Sequence, residues 1–186
     1  MIYIKDNFVD ISFVDQINDD QNPFDRIDTP GKSFWVKKPS DELLESVIRN
    51  IEECEGNSID LILSFIREAR EGQDNDWRIH NDSIINGQQP DRAGVLYISD
   101  EQSGFLNGTA FWEHKIYGDK VNDIHSEEFD RLLNEDSNNL ELWNLKSIIG
   151  HKKNRFISYP CEYFHSKFPN EFIDNRIVLV IFYKIK

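Results

Sequence analysis

The chain ends in an apolar run that no half-exposed strand would carry. From Ile177 to Tyr183 every residue is aliphatic or aromatic, with Arg176 at its head and Lys184 and Ile185 at its end. A strand buried on one face alternates apolar and polar side chains, whereas a continuous run signals cover on both faces. The fold must therefore enclose this strand between two layers. Shorter runs of strand character are bounded by turn residues. Ala93 to Ser99 follows Asn86-Gly87 and Pro90-Asp91, Gly104 to Trp112 opens with a turn, and Asn154 to Pro160 precedes the final run.

Helical spacing dominates the first half. Ser40 is placed to cap a helix whose first turn holds Asp41 and Glu42, acids suited to the positive end of a helix dipole. Leu44, Val47, Ile48 and Ile51 fall on one face, and Gly56 ends the element. A second helix is expected at once, capped by Asn57 or Ser58, with Ile59, Ile62, Leu63, Ile66 and Ala69 as its stripe and Gly72 as its stop. Both stripes read as core material that supports a sheet from outside. Between about Ser126 and Gly150 the pattern turns helical again, through Phe129, Leu132 and Leu133 and then Leu140, Trp143, Leu145 and Ile148, with a break at Asn138-Asn139. The 186 residues are expected to form one domain, long enough to bury a substantial core.

Four positions in the strand-rich half carry chemistry. His80 and Asp82 stand two apart in Trp77-Arg78-Ile79-His80-Asn81-Asp82-Ser83, so on a strand both project from one face and can grip one ion. His165 is the distant histidine that completes the grip. Two imidazoles and one carboxylate on one face of an ion leave positions open, the ligand set of non-haem Fe(II) oxygenases. Arg176, eleven residues past His165, can hold an anionic co-substrate through two parallel guanidinium hydrogen bonds. Plainer readings of the same residues are a chance H-x-D in an acidic chain and a salt bridge at a strand end.

With these residues in this order, the chain resembles the 2-oxoglutarate and Fe(II)-dependent oxygenase superfamily, in particular its prolyl-hydroxylase-like branch. The resemblance runs from about Trp77 to the C terminus, and Ile2-Tyr3-Ile4-Lys5-Asp6-Asn7-Phe8 looks like the strand that opens such domains. It implies an α+β fold with a mainly β core, a double-stranded β-helix of the jelly-roll or cupin-like kind, braced by the N-terminal helices. It implies that His80, Asp82 and His165 are the iron ligands and catalytic residues, and that Arg176 binds the distal carboxylate of 2-oxoglutarate. Tyr97, on the strand after the H-x-D pair, would hydrogen-bond the same carboxylate, although a core tyrosine with its hydroxyl at the rim has the same sequence. In that family the iron and O2 couple decarboxylation of 2-oxoglutarate, which gives succinate and CO2, to oxidation of a substrate. Thr109, Phe111 and Trp112 lie where relatives line the substrate mouth, a place that core aromatics also fill. The chain departs from the pattern at Val178, where relatives often have serine, and at the single glycine before Thr109, where many have two. Its span from Asp82 to His165 is lengthened by what looks like a helical insertion over roughly 113–153, either a lid or plain packing.

The formal net charge of -13 repels phosphate backbones, so a small-molecule or peptide substrate is expected and a nucleic acid is not. Lys152-Lys153-Asn154-Arg155 is a small basic cluster that reads as a solvated turn beside a strand. Only Cys54 and Cys161 occur, which implies no disulfide framework or multi-cysteine zinc site and fits a reducing compartment. No run of about 18 apolar residues points to a membrane span, and no basic segment followed by an apolar stretch marks a signal peptide, so a cytoplasmic location is the expectation. His114, His125 and His151 have no partner at metal-ligand spacing and read as surface or hydrogen-bonded side chains. Cys161 and Tyr163 share strand parity with His165 and read as core filling or as neighbours of the metal. Two other classes compete: a cupin-like barrel that binds a metal or small ligand without oxygenase activity, and an interaction module that docks through its acidic helices.

Overall fold

The computed structural model describes residues 1–29, 32–70, 77–100, 107–120, 124–170 and 176–186. The elements in chain order are β1 (Tyr3–Lys5), α1 (Ile11–Asp19), β2 (Asp25–Thr29), β3 (Lys32–Lys37), α2 (Asp41–Glu55), β4 (Ile59–Ala69), β5 (Arg92–Tyr97), β6 (Gly108–His114), α3 (Glu127–Arg131), β7 (Trp143–Ile149), β8 (Phe156–Pro160), β9 (His165–Phe168) and β10 (Arg176–Ile185). The strands form a seven-stranded sheet in the order β1-β8-β5-β10-β4-β3-β2 and a three-stranded sheet in the order β7-β6-β9. All these pairings are antiparallel. The architecture is thus mainly β, two antiparallel sheets with three helices among the described residues. No helix in them is long and apolar enough to cross a membrane.

The final apolar run is the enclosed strand that its composition demands. β10 pairs with β4 on one side and β5 on the other, at the centre of the large sheet. Its Leu179 and Ile181 face one core, with Leu96 and Ile66, and meet Val14 of α1 and Leu43, Val47 and Ile51 of α2. Its Val178 and Phe182 face the other way, with Val95 and Tyr97, and meet Phe111 and Ile149 of the small sheet. A third cluster of Ile79, Ala110, Trp112, Leu132, Trp143 and Phe164 covers the far side of the small sheet. Helices brace one face of the large sheet, and the small sheet closes over the other.

Local chemistry explains α2. The Ser40 hydroxyl accepts the Leu43 backbone N–H at 3.2 Å, and Gly56 turns left-handed with φ 70 while its N–H donates to the Glu52 carbonyl at 2.9 Å. Only glycine takes that conformation without strain. The second expected helix is instead strand β4. It lies between β10 and β3, so backbone pairing on both edges decides its form. Its β-branched Ile59, Ile62 and Ile66 suit a pleated sheet, and a strand apolar on both faces carries no period to tell it from a helix. Gly72 lies outside the described residues. The expected helix around Leu140 to Ile148 is also a strand, β7, paired at the edge of the small sheet with Leu145 and Ile148 47% and 40% exposed. Helix persists only in α3 and in the short π and 3-10 turns Leu132–Asp136 and Leu140–Leu142 that follow it.

The basic cluster before β8 knits the N terminus to the sheet. Asp6 takes Lys152 Nζ and Arg155 Nε, each at 2.6 Å, and Lys153 Nζ lies 2.7 Å from both Asp15 and Asp100. Between them Asn154 pairs its side chain with both the N–H and the C=O of Val9.

Candidate metal centre

The backbone first brings two distant stretches side by side. His80 N–H donates to the His165 carbonyl at 3.0 Å and His165 N–H donates to the His80 carbonyl at 2.8 Å, an isolated antiparallel bridge at the edge of the small sheet. Directly opposed residues share a face, and the two imidazole centroids are 4.5 Å apart. Two residues on, Asp82 N–H donates to the Cys161 carbonyl at 2.9 Å, which keeps the H-x-D stretch extended and returns Asp82 to the same face. The Asp82 carboxylate then lies 3.3 Å from His165 Nε2 and 3.8 Å from His80 Nε2, and the three ligand atoms all fall within 4.8 Å of one another.

The histidines are oriented by one device used twice. His80 Nδ1 is 2.8 Å from the Arg78 carbonyl and His165 Nδ1 is 3.0 Å from the Tyr163 carbonyl, each two residues back. A carbonyl only accepts, so Nδ1 carries a proton and Nε2 is the ring nitrogen that faces Asp82. Arg78 holds its carbonyl in place at φ 44, a left-handed conformation that a non-glycine residue keeps only when its surroundings fix it. Here Asn138 Oδ1 accepts the Arg78 N–H at 2.8 Å and the Ser137 carbonyl accepts the Ile79 N–H at 2.9 Å. Burial, reinforced by the charge of His165, pushes His80 down to about 4. Burial alone would raise Asp82, but the charge and hydrogen bond of His165, with His80, hold it below the usual carboxylate range. His165 is depressed by burial and lifted further by Asp82, and its net direction is up. A half-buried carboxylate between two inward-facing Nε2 atoms fits a divalent ion, whose neighbouring donors at bonds of about 2.1 Å would stand about 3 Å apart.

These side chains line a cavity of about 410 Å³ that also receives Arg176, Thr109, Tyr159, Ser166 and Lys167. Arg176 is buried, donates Nε–H to the Asn107 carbonyl at 2.7 Å, and places its guanidinium carbon 5.4 Å from the Tyr97 ring centroid. Tyr97 is wholly buried behind the wall and joins its hydroxyl to Thr109 Oγ1 at 2.8 Å. Burial raises its pKa against the pull of Arg176, so the hydroxyl keeps its proton. Phe111 is buried in the core between the sheets, its ring 6.4 Å from His165, whereas Trp112 packs in the far core and donates to Ser166 Oγ at 2.9 Å. Cys161 is buried filling that positions Asp82 through its carbonyl. His114 is buried 3.3 Å from Asp136, His151 is hydrogen-bonded to the Ser99 carbonyl, and His125 is exposed. None of the described residues of 113–153 lines the cavity. The part seen there packs against the stretch that bears His80.

Tyr159, Lys167, Arg67 and Phe34 are among the cavity residues that escape the sequence reading. Tyr159 brings its ring to 4.8 Å from His165, and Lys167 stands opposite Thr109 across the β6–β9 pair. Parity with His165 was a usable signal for Lys167. Arg67 and Phe34 had none, because β4 read as helix and the β2–β3 hairpin did not stand out.

No protein-family model matches the sequence, and no curated protein sequence matches it. Solved structures of like fold do exist. HygX from Streptomyces hygroscopicus, with nickel and 2-oxoglutarate bound, superposes with a TM-score of 0.60 at 13% identity, over 100% of this chain and 83% of that one. The non-haem α-ketoglutarate-dependent epimerase SnoN from nogalamycin biosynthesis gives 0.63 at 10% identity, over 99% and 76%. The viral collagen prolyl hydroxylase of Paramecium bursaria Chlorella virus-1, as its 2-oxoglutarate complex, gives 0.57 at 11% identity, over 100% and 96%. At these identities the likeness is one of fold, and it meets the resemblance read from the sequence at that level.

Proposed function

We propose that this protein is an Fe(II)- and 2-oxoglutarate-dependent oxygenase of the hydroxylase type, a jelly roll whose two sheets enclose the site, acting on a small-molecule or peptide substrate. The observation that carries this reading is the convergence of His80 Nε2, His165 Nε2 and the Asp82 carboxylate in a cavity that also holds a buried arginine. His80, Asp82 and His165 would hold the metal, which when bound supplies O2 activation coupled to decarboxylation of 2-oxoglutarate. Arg176 is suited to the distal carboxylate, because a guanidinium away from water gives strong paired hydrogen bonds. Tyr97, its hydroxyl joined to Thr109 at the cavity wall, would hydrogen-bond the same carboxylate. Val95, Val178, Val180 and Phe182 keep the opposite wall apolar and limit water at the reacting centre. The described neighbours bound to 2-oxoglutarate support the same co-substrate here.

The test is anaerobic addition of Fe(II) and then 2-oxoglutarate. A visible charge-transfer band is expected only with both present, and His165→Ala should abolish it. Metal binding with no band on adding 2-oxoglutarate would instead identify a metal- or small-ligand-binding barrel without oxygenase activity.

A further inference from the structure

His80 and His165 are aimed by the same device, yet the two carbonyls behind them are not held alike. Tyr163, behind His165, needs no positive φ and closes a backbone turn, its N–H donating to the Pro160 carbonyl at 3.0 Å. Arg78, behind His80, sits at φ 44, and its N–H goes to a side chain, Asn138 Oδ1, at 2.8 Å. Asn138 is exposed and lies outside the cavity. A residue other than glycine leaves positive φ unless something holds it there. Rotation of Arg78 back toward the ordinary negative range would swing its carbonyl off His80 Nδ1. The aim of one metal ligand therefore depends on an amide at the surface, helped by the Ser137 carbonyl on the Ile79 N–H at 2.9 Å.

The turn that carries Asn138 is fixed to the small sheet. Asp136 and Ser137 are buried, and the Asp136 carbonyl accepts Trp143 Nε1–H at 2.8 Å and the Asn139 N–H at 2.9 Å. The Asp136 carboxylate lies 3.3 Å from Nε2 of His114, the buried last residue of β6, and 3.6 Å from Arg131 Nε. His114 Nδ1 accepts the Ile116 and Tyr117 N–H groups at 3.3 Å each, so in the neutral ring the proton is on Nε2, toward Asp136. Trp143 opens β7 and His165 opens β9, the two neighbours of β6. The turn thus refers His80 to the sheet that already carries His165.

We propose that Asn138 is a positioning residue for the metal centre, and that the turn over 132–139 locks His80 into the frame of the small sheet. This rests on the metal-ligand reading of His80, but the hold on the imidazole exists without metal. Supports one step behind a metal ligand commonly change metal affinity by about tenfold to a hundredfold.

Asn138→Ala and Asn138→Asp, each made in the parent and in an Arg78→Asn background, are compared by three measurements. These are thermal unfolding of the metal-free chain, NMR of the imidazole Nδ1–H protons in that chain, and calorimetric titration with Co(II). Asn138→Ala should barely move the melting temperature, because the side chain lost is exposed. It should broaden or remove the Nδ1–H signal of His80, leave that of His165 in place, and weaken Co(II) binding about tenfold. Asn138→Asp keeps the acceptor oxygen and should restore both signal and affinity. Asparagine tolerates positive φ better than arginine, so in the Arg78→Asn background Asn138→Ala should cost only about threefold or less. An unchanged His80 signal and affinity in Asn138→Ala would overturn the proposal, as would loss of both histidine signals with a large fall in melting temperature. If the His80 signal responds as expected in a chain that takes no Co(II), the hold of Asn138 on His80 stands and the metal-centre reading falls.

Discussion

Asp82 is the one anionic donor among three converging side chains, and both imidazoles present Nε2 to it. Asp82→Ala is expected to lose nearly all bound metal, read as metal content after dialysis against Fe(II) under anaerobic conditions. Full occupancy in that variant would remove the ligand assignment. Arg176→Met keeps much of the buried volume but deletes the guanidinium, so 2-oxoglutarate should bind roughly tenfold to a hundredfold more weakly, the equivalent of about 1.5–3 kcal/mol, with metal affinity little changed. Titration calorimetry with an inert divalent ion in place checks this. At this scale the sequence was informative where spacing implies direction: His80, Asp82, His165 and Arg176 do reach one cavity. It was silent on Tyr159 and Arg67, because a buried tyrosine and a strand arginine look alike whether they face a cavity or a core.

Elements were legible where their ends carry local chemistry. Ser40 and Gly56 mark α2 because a cap and a left-handed stop act within a few residues. β4 and β7 were misread because pairing with distant strands, which leaves no local trace, overrides their helical spacing. Gly108 shows how tightly that pairing is built. A Cβ there would stand 2.0 Å from the Ile149 carbonyl oxygen, at the junction of β6 and β7, so the glycine before Thr109 answers a close backbone approach. Gly108→Ala must push the two strands apart and should destabilise the protein by roughly 3 kcal/mol. Urea unfolding measures it, and a loss under about 1 kcal/mol would mean that the edge of the small sheet yields freely.

Across the whole molecule, Asp6 ties the N-terminal segment to Lys152 and Arg155, almost the full chain away. Hydrogen bonds from Arg155 and Lys152 lower its pKa from 3.8 to about 2. A carboxylate depressed on folding adds stability that is present above its ordinary pKa and is lost as pH falls from about 4 toward about 2. Asp6 is partly open to solvent, so Asp6→Asn should destabilise by only about 1 kcal/mol at pH 7. The gap between variant and parent should narrow markedly by pH 3. A gap independent of pH in urea titrations would assign its effect to packing. The backbone bridge between His80 and His165 has a kinetic consequence. The H-x-D stretch is joined to the sheets by that bridge, the Cys161 carbonyl, Ser137 with Asn138 and the buried Ile79, few enough ties for it to open as a small unit before the sheets melt. An ion held across the same rung would act as a clasp, and only states with the rung closed would retain it. Metal loading should therefore slow amide hydrogen exchange at His80, Asp82 and His165 by about tenfold or more while leaving α2 unchanged.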